Sequence, residues 1–472
     1  MASSDNQTSI HVLLVPFPAQ GHINPLLQFG KRLAAHRGVR CTLAATRFVA
    51  NSTKPTPSSV HVAVFSDGCD GGGPDELGGM GARYFERLES AGSETLDALL
   101  RSESELGRPV HAVVYDAFVP WARRVARRRG AACAAFLTQT CAVDIVYAHA
   151  WAGRVPPPTA AAPRPGEETW ALDGLSCRLE MSDMPTFLTD TSYDPCFREL
   201  LMNQFLGLDT ADHVLVNSFY DLEPQEADYM ASTWRAKMVG PTVPSAFLDN
   251  RLPDDVSYDI HLHTPMTAES KAWLDAQQPQ SVLYVSFGSM ASLGPDQMSE
   301  IADGLYNSGK PFLWVVRATE TAKLPDGFAD KAKATRGLIV SWCPQLEVLS
   351  HPSVRCFMTH CGWNSTVEAL SAGVPMVAMP DWSDQTTNAK YIQDVWRVGV
   401  RVRPDAGGVV RSEEVERRVR EVMEGEMREE FRAKALEWSD KAKKSMSEGG
   451  TSDVNISDFL SSVGHAVATR AN

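Results

Sequence analysis

No apolar run in this chain approaches the ~20 residues that a membrane-spanning helix needs. That excludes a helical membrane protein. No Cys-x-x-Cys pair occurs among the nine cysteines. An odd number without paired spacing argues against a disulfide scaffold and for reduced thiols in a cytoplasmic protein. Positive charge is scarce: 45 Lys and Arg against 58 Asp and Glu leave a net charge of −13. Such a balance argues against nucleic acid or an anionic membrane as the main partner, and no membrane insertion is expected. The chain has no Gly-x-Ser-x-Gly elbow of the kind that carries serine-hydrolase chemistry, and no Asp-x-Asp pair placed as a metal seat. Its first residues (Ser3, Ser4, Asp5, Asn6, Gln7) are polar and lead straight into a strand pattern, so no signal peptide is expected.

What is present is length enough for two or three domains, 472 residues, and a repeated alternation of strand and helix. Ile10 to Val15 is a near-continuous apolar run, as a parallel strand covered on both faces requires. A turn from Pro16 to Gly21 and a helical pattern from Asn24 to Ala35 follow. Further strands are predicted at Arg40 to Ala45, Val60 to Phe65, Ala112 to Tyr115, Ala132 to Leu137 and His213 to Asn217. The second half repeats the style at Val282 to Phe287, Phe312 to Val316, Leu338 to Ser341, Val354 to Met358 and Met376 to Met379. This order predicts an α/β protein with two doubly wound domains. Gly240 to Pro265, rich in Pro and Asp and without periodicity, carries the connection. The expected division is therefore 1–245, a linker at 246–265, and 266–452. Ile456, Phe459, Leu460 and Val463 keep helical spacing near the end of the chain.

The densest chemistry lies between Trp342 and Gln385. After the apolar run Val354 to Met358, Thr359-His360-Cys361-Gly362 turns, and Asn364 to Leu370 has helix-forming spacing. A strand that ends in a small-residue turn and opens a helix points unpaired N–H groups outward, a ready seat for phosphate. His360, Asn364 and Ser365 can add side-chain donors there. Glu368 falls four residues after Asn364, on the same helix face, and a carboxylate just beyond a phosphate seat suits a ribose diol. Trp342 supplies a flat face for a base, and Asp384 and Gln385 can bind several hydroxyls at once. Outside such a box, Trp342 and Trp363 would read as plain core residues. His360, Cys361 and Glu368 lack the spacing and fourth ligand of a metal site, so no metal is expected.

The whole of Trp342 to Gln385 resembles the signature box of the plant family 1 glycosyltransferases, which use a UDP-sugar donor. The resemblance implies a GT-B-like fold, two Rossmann-type domains facing across a cleft, with the last helix (about 453–472) crossing back to the N-terminal domain. It implies that Trp342 stacks on uracil, that the Cys343 backbone and Gln345 hold base and ribose, and that Glu368 takes the ribose hydroxyls. It places His360, Asn364, Ser365 and Ser289 on the diphosphate, and Trp363, Asp384 and Gln385 on the sugar. A Gln at position 385 goes with glucose in this family, so UDP-glucose is the expected co-substrate, with no cofactor and no metal.

His22, in Pro-Ala-Gln-Gly-His, follows the first strand, and Asp116 ends another, so both emerge at the carboxyl edge where open α/β sheets place ligands. Spacing alone favours the plainer reading, in which His22 caps a helix and Asp116 merely ends a strand. The resemblance reverses that: members of the family carry a base His in this early turn and an Asp after a middle strand, and VPFPAQGHINPLLQF matches closely. His22 is then the general base for inverting transfer to a hydroxyl or carboxyl group, oriented by Asp116. Thr138 to Val143 (TQTCAV) resembles the subgroup acting on small carboxylic acids and, in grasses, on trichothecenes, although Thr140 stands where that subgroup often has Pro. An acceptor pocket is expected from Phe118, Phe136, Thr138, Met184, Phe187, Met202 and Phe205, apolar and Met-lined, as suits a small lipophilic acceptor. A monomer is expected.

Other features read as structural. Gly71 to Gly73 reads as a loop without a following helix start. Arg123, Arg124, Arg127, Arg128 and Arg129 read as a solvated helix face, and Pro156 to Pro165 as a surface loop. Two further functions remain: a His/Asp hydrolase, which would leave the diphosphate box unexplained, and a nucleotide-sugar-binding protein without catalysis, in which loss of His22 or Asp116 would be expected.

Overall fold

The computed structural model describes residues 10–53, 58–155, 169–260 and 266–471. The polar start, the Pro156 to Pro165 segment and the end of the linker lie outside them. The first half supplies β1 (Ile10–Val15), β2 (Val39–Thr46), β3 (Val60–Phe65), β4 (Ala112–Asp116), β5 (Ala132–Leu137), a two-residue hairpin of β6 (Thr169–Trp170) and β7 (Leu179–Glu180), β8 (His213–Val216) and β9 (Lys237–Met238). All but the hairpin form one sheet in the order β3-β2-β1-β4-β5-β8-β9, parallel throughout. The second half supplies β10 (Val282–Ser286), β11 (Phe312–Val315), β12 (Gly337–Val340), β13 (Val354–Thr359), β14 (Met376–Ala378) and β15 (Gly399–Arg401), ordered β12-β11-β10-β13-β14-β15 and again parallel. In each sheet the chain winds outward in both directions from a central pair, β1/β4 and β10/β13. The crevice between such a pair, at the carboxyl ends of the strands, is where doubly wound sheets bind ligands.

The predicted strands agree with these to within a residue or so, because strands covered on both faces are almost wholly apolar and burial leaves little choice. β4 is buried along its entire length, Asp116 included. The short β6, β7, β9 and β15 carry too few residues to show a pattern. The first helix corrects the prediction: it runs Gln20–Ala34 and not from Asn24, so His22 lies in its first turn. Pro25 has no N–H to give to the carbonyl four residues back, and that carbonyl, of Gly21, accepts instead from Asn364 Nδ2 at 2.7 Å. The helix is set against β1 by Gly30, where a Cβ would lie 2.4 Å from the Leu14 side chain.

The polar segments are also organised. A 3-10 helix at Gly73–Leu77 does follow the glycine run, but the N–H groups of Gly71 and Gly72 both donate to Glu76. The arginine run is the solvated face expected, with Arg124, Arg127, Arg128 and Arg129 exposed, and it also braces: Arg123 and Arg127 hold the loop at Gly207 and Thr210, while Arg124 and Arg129 pair with Glu89 and Asp97. Helix Thr451–Ala471 packs on β1 and β9, with Ser452 and Asn455 donating to the Gly240 and Met238 carbonyls. Among the described residues no helix is long and apolar enough to cross a membrane.

The segment 249–260 lacks periodicity because charge, and not an apolar face, pins it. It straps across helix Gln20–Ala34: Lys31 Nζ lies 2.7 Å from both Asp255 and Asp259, and Arg32 pairs with Asp249 at 2.6 Å. Lys31 and Asp255 are nearly inaccessible to water. Removing one member of a buried ion pair strands the other, at a cost of about 3–5 kcal/mol. Lys31→Met is therefore expected to lower the melting temperature by several degrees in differential scanning calorimetry. Lys271→Met, which breaks an exposed pair with Asp275, should leave it unchanged.

Candidate functional site

The carboxyl edges of the two sheets face one shared cavity, lined by residues of both halves. On the first sheet, β1 and β4 are hydrogen-bonded neighbours. The helix after β1 and the last residue of β4 therefore meet at the same edge. His22 Nδ1 lies 2.7 Å from Asp116 Oδ2. Asp116 is fully buried, and its other oxygen accepts the Phe118 backbone N–H at 2.9 Å. The pairing fixes one ring nitrogen and leaves Nε2 for the cavity. Phe118 and Phe17 flank the imidazole at ring distances of 4.7 and 5.2 Å, and Thr138 Oγ1 is 3.4 Å from Nδ1. Thr138 is delivered by the turn into helix Cys141–Trp151. That helix start is held by the buried Glu223, which accepts the N–H groups of Cys141 and Ala142.

On the second sheet, the turns after β10 and β13 form the facing wall. Helix Trp363–Ala372 opens at Gly362 with no side-chain cap, so its first N–H groups stay available to a ligand. Cys361 takes a left-handed φ of 67° to make the turn. Gly288 and Gly362 flank His360, and a Cβ on either would lie 2.6 or 2.5 Å from its Nε2; only glycine leaves room for the ring. Burial pulls the His360 pKa down to about 4, so at neutral pH it is an uncharged imidazole. Ser289 lines the cavity on a loop braced by Arg317, which donates to its carbonyl at 2.7 Å.

Trp342, Cys343, Gln345, Asn364, Ser365 and Glu368 also line the cavity. Gln345 Nε2 donates to Ser365 Oγ (2.9 Å) and Glu368 Oε2 (2.7 Å), and its Oε1 accepts from Tyr284 (3.1 Å). Burial raises the Glu368 pKa to about 7 and that of Asp384 to about 6. Two desolvated carboxyls opening on one cavity favour a ligand rich in hydroxyl donors. Gln385 lines the cavity, and its Oε1 accepts the N–H groups of Asp381 and Trp382 (2.9 and 3.1 Å). Asn388 donates to Asp384 Oδ2 at 2.8 Å. Trp363 borders the cavity, but its indole N–H donates to the Asn217 carbonyl of the first half at 2.7 Å, and its ring packs on Trp396. It fastens the halves together from the edge of the cavity.

The expected acceptor residues divide. Phe118, Thr138 and Phe187 line the cavity; Phe136, Met184, Met202 and Phe205 do not. Phe136 points into the sheet-helix core against Phe29, and Phe205 packs on Trp151 and Trp234. Met184 is buried, its carbonyl bonded by Thr386. On helix Pro195–Asn203 it is Phe197, Leu200 and Leu201, at i, i+3 and i+4, that meet the cavity, and Met202 is rotated off that face. Sequence reasoning missed a chain of rings: Phe17 contacts Phe85, Phe85 contacts Phe197, Phe197 stacks on Phe187, and Phe187 meets Trp382 edge-on, each between 5.5 and 6.2 Å. Phe17 adjoins the His22 turn and Trp382 lies in the Trp342 to Gln385 box, so both were findable, and Phe187 was expected; Phe85 and Phe197 come from segments with no motif.

The chain matches two family descriptions, UDP-glucoronosyl and UDP-glucosyl transferase over residues 227–436 and Glycosyltransferase, N-terminal domain over residues 8–56. It is 50% identical over 454 residues to a UDP-glucosyltransferase of Hordeum vulgare, spanning 95% of this chain and 93% of that one. It is 49% identical to UDP-glycosyltransferase 79 of Oryza sativa over 95% and 96% of the two chains. The solved structure of Os79 from O. sativa in complex with UDP is similar with a TM-score of 0.90 at 47% identity, covering 96% of this chain and all of that one. With two parallel sheets closing on one cavity, the chain belongs to the plant family 1 UDP-glycosyltransferases, enzymes of GT-B fold.

Proposed function

We propose that this enzyme transfers glucose from UDP-glucose, with inversion at the anomeric carbon, to a hydroxyl or carboxyl group of a small lipophilic acceptor. The observation that carries the reading is the 2.7 Å pair of His22 and Asp116 in the same cavity as the donor box. Relatives support it: a UDP-glucosyltransferase, a crocetin glucosyltransferase and a flavonol 7-O-beta-glucosyltransferase are 50%, 47% and 43% identical, and Os79 has been solved with a trichothecene. In this reading residues 1–245 with the last helix bind the acceptor, 266–452 bind the UDP-sugar and 246–265 connect them. The enzyme is a cytoplasmic monomer of secondary metabolism or detoxification.

His22 Nε2 removes the acceptor proton, and the freed oxygen pair attacks C1 of glucose. The C1–O bond to the β-phosphate breaks on the opposite face, and its electrons leave with UDP. The transition state resembles the oxocarbenium ion of glycoside hydrolysis, without a second carboxylate because the leaving group is already a good one. Charge growing on the diphosphate is met by the open N-terminus of helix Trp363–Ala372, His360, Asn364, Ser365 and Ser289. Trp342 carries the uracil, Glu368 the ribose diol, and Asp384 and Gln385 the glucose hydroxyls. The Phe17-to-Trp382 ring chain gives the acceptor an apolar wall beginning at the base.

Three outcomes test this. His22→Ala should lower turnover of hydroxyl acceptors about a hundredfold or more while UDP affinity by calorimetry is unchanged; full turnover removes His22 as the base. Gln385→His should lower kcat/KM for UDP-glucose relative to UDP-galactose, and an unmoved ratio counts against its sugar role. A proton on Glu368 competes with the ribose hydroxyls, so affinity must be lost as pH falls through its raised value of about 7. UDP-glucose should bind up to about tenfold more weakly at pH 6 than at pH 8, and Glu368→Gln should flatten that dependence.

A further inference from the structure

Glu368 is held from two sides, and only one of the holders belongs to the donor domain. Gln345 Nε2 takes Oε2 at 2.7 Å. Oε1 accepts the hydroxyl of Tyr258 at 2.8 Å, and Tyr258 comes from the strap 249–260. The strap is fastened to the helix that carries His22: Gln20 donates to the Ile260 carbonyl (2.9 Å), Gln28 and Lys31 to that of Ser257 (3.0 and 2.7 Å), and Lys31 pairs with Asp255 and Asp259. Tyr258 lines the cavity beside Glu368.

We propose that Tyr258 is a positioning residue of the donor site: its phenol holds one carboxylate oxygen of Glu368 while Gln345 holds the other, so that the remaining lone pair on each oxygen meets the vicinal diol of the ribose. The proposal rests on the reading that Glu368 binds that diol. A carboxylate has about four lone-pair sites, and two fixed donors take one on each oxygen. A free carboxylate rotates about its last bond; one tied at both oxygens does not, and its orientation need not be fixed at the moment of binding. The phenol suits the task because burial and the neighbouring Glu368 carboxylate hold its pKa well above the ordinary tyrosine value, so it stays a donor at every working pH. Since the strap is anchored to helix Gln20–Ala34, the grip on the ribose and the placement of the base share one scaffold.

The groups facing Glu368 are Gln345 from the turn after β12, Tyr258 from the strap and Tyr284 from β10. Neither tyrosine ionises near neutrality, because burial raises both, so Glu368 is the group that titrates there. The Tyr258 hydrogen bond lowers its pKa against the larger effect of burial.

The test is Tyr258→Phe in the full-length enzyme, with UDP-glucose binding and steady-state kinetics from pH 6 to 8.5. The expected result is about tenfold weaker binding and a KM raised in proportion, with kcat unchanged. The pH midpoint of binding should move upward, and the loss should vanish when UDP is compared with 2′,3′-dideoxy-UDP. In a Glu368→Gln background, Tyr258→Phe should add nothing. Unaltered affinity and midpoint, or an equal loss with the dideoxy nucleotide, overturns the proposal. If Glu368→Gln alone leaves UDP-glucose affinity intact, the ribose reading of Glu368 fails instead. Lys31→Met reports on the anchoring: a raised KM at unchanged kcat supports the strap's part, and a fall in kcat alone contradicts it.

Discussion

A carboxylate with no access to water, bonded to one nitrogen of an imidazole, is the constraint on which the reactive half of this enzyme depends. Asp116 ends a fully buried strand. An isolated charge there would cost more than a fold of ordinary stability could bear, so its partners are obligatory: the His22 ring on one oxygen and the Phe118 backbone on the other. That requirement fixes the register of the helix after β1 relative to β4, and with it the direction of the second imidazole nitrogen. Catalytic geometry follows from solvation. The strand pair that divides the sheet's winding opens a crevice at the carboxyl edge, and the turn after β1 meets the end of β4 there.

The donor wall solves the opposite problem. It offers a UDP-sugar an uncapped helix start, a histidine that burial keeps neutral and two carboxyls whose pKa values burial has raised, Glu368 held by Gln345 and Tyr258 and Asp384 by Asn388. Polar groups fixed by the fold in this way make a preorganised wall.

Legibility in the sequence tracked how local each device is. The longer strands of both sheets were readable because buried parallel strands are mostly apolar, while β9 and β15 were too short to show a pattern. The cavity wall of the second half was readable because its polar and aromatic lining residues fall within one continuous segment, Trp342 to Gln385. The His22 turn was readable as a motif but not as a helix, because the donor that answers the Gly21 carbonyl freed by Pro25, Asn364, lies 343 residues away. The acceptor wall was half missed for the same reason. Its rings come from separate loops and helices, and Phe17, Phe85, Phe197 and Trp382 are ordinary core residues until the fold lines them up. Phe136, Met202 and Phe205 show the converse, apolar residues near the right elements but rotated into the core.

Asn364 and the strap share a logic. Pro25 withholds an N–H from Gly21, and the residue that answers, Asn364, belongs to the opposite domain. Tyr258 reaches the same domain from a strap pinned to the same helix. Helix Gln20–Ala34 thus carries His22 in its first turn, offers a carbonyl to Asn364 one residue earlier, and anchors through Gln28 and Lys31 the segment whose Tyr258 bonds Glu368. A two-domain enzyme must place an acceptor oxygen within bonding reach of a carbon held by the other domain, and a misplacement of about 1 Å can cost two orders of magnitude in rate. Contacts across the cleft at both ends, Asn364 and Tyr258 through helix Gln20–Ala34 and Trp363, Tyr391 and Arg401 through Asn217, Glu226 and Asp183, hold that distance.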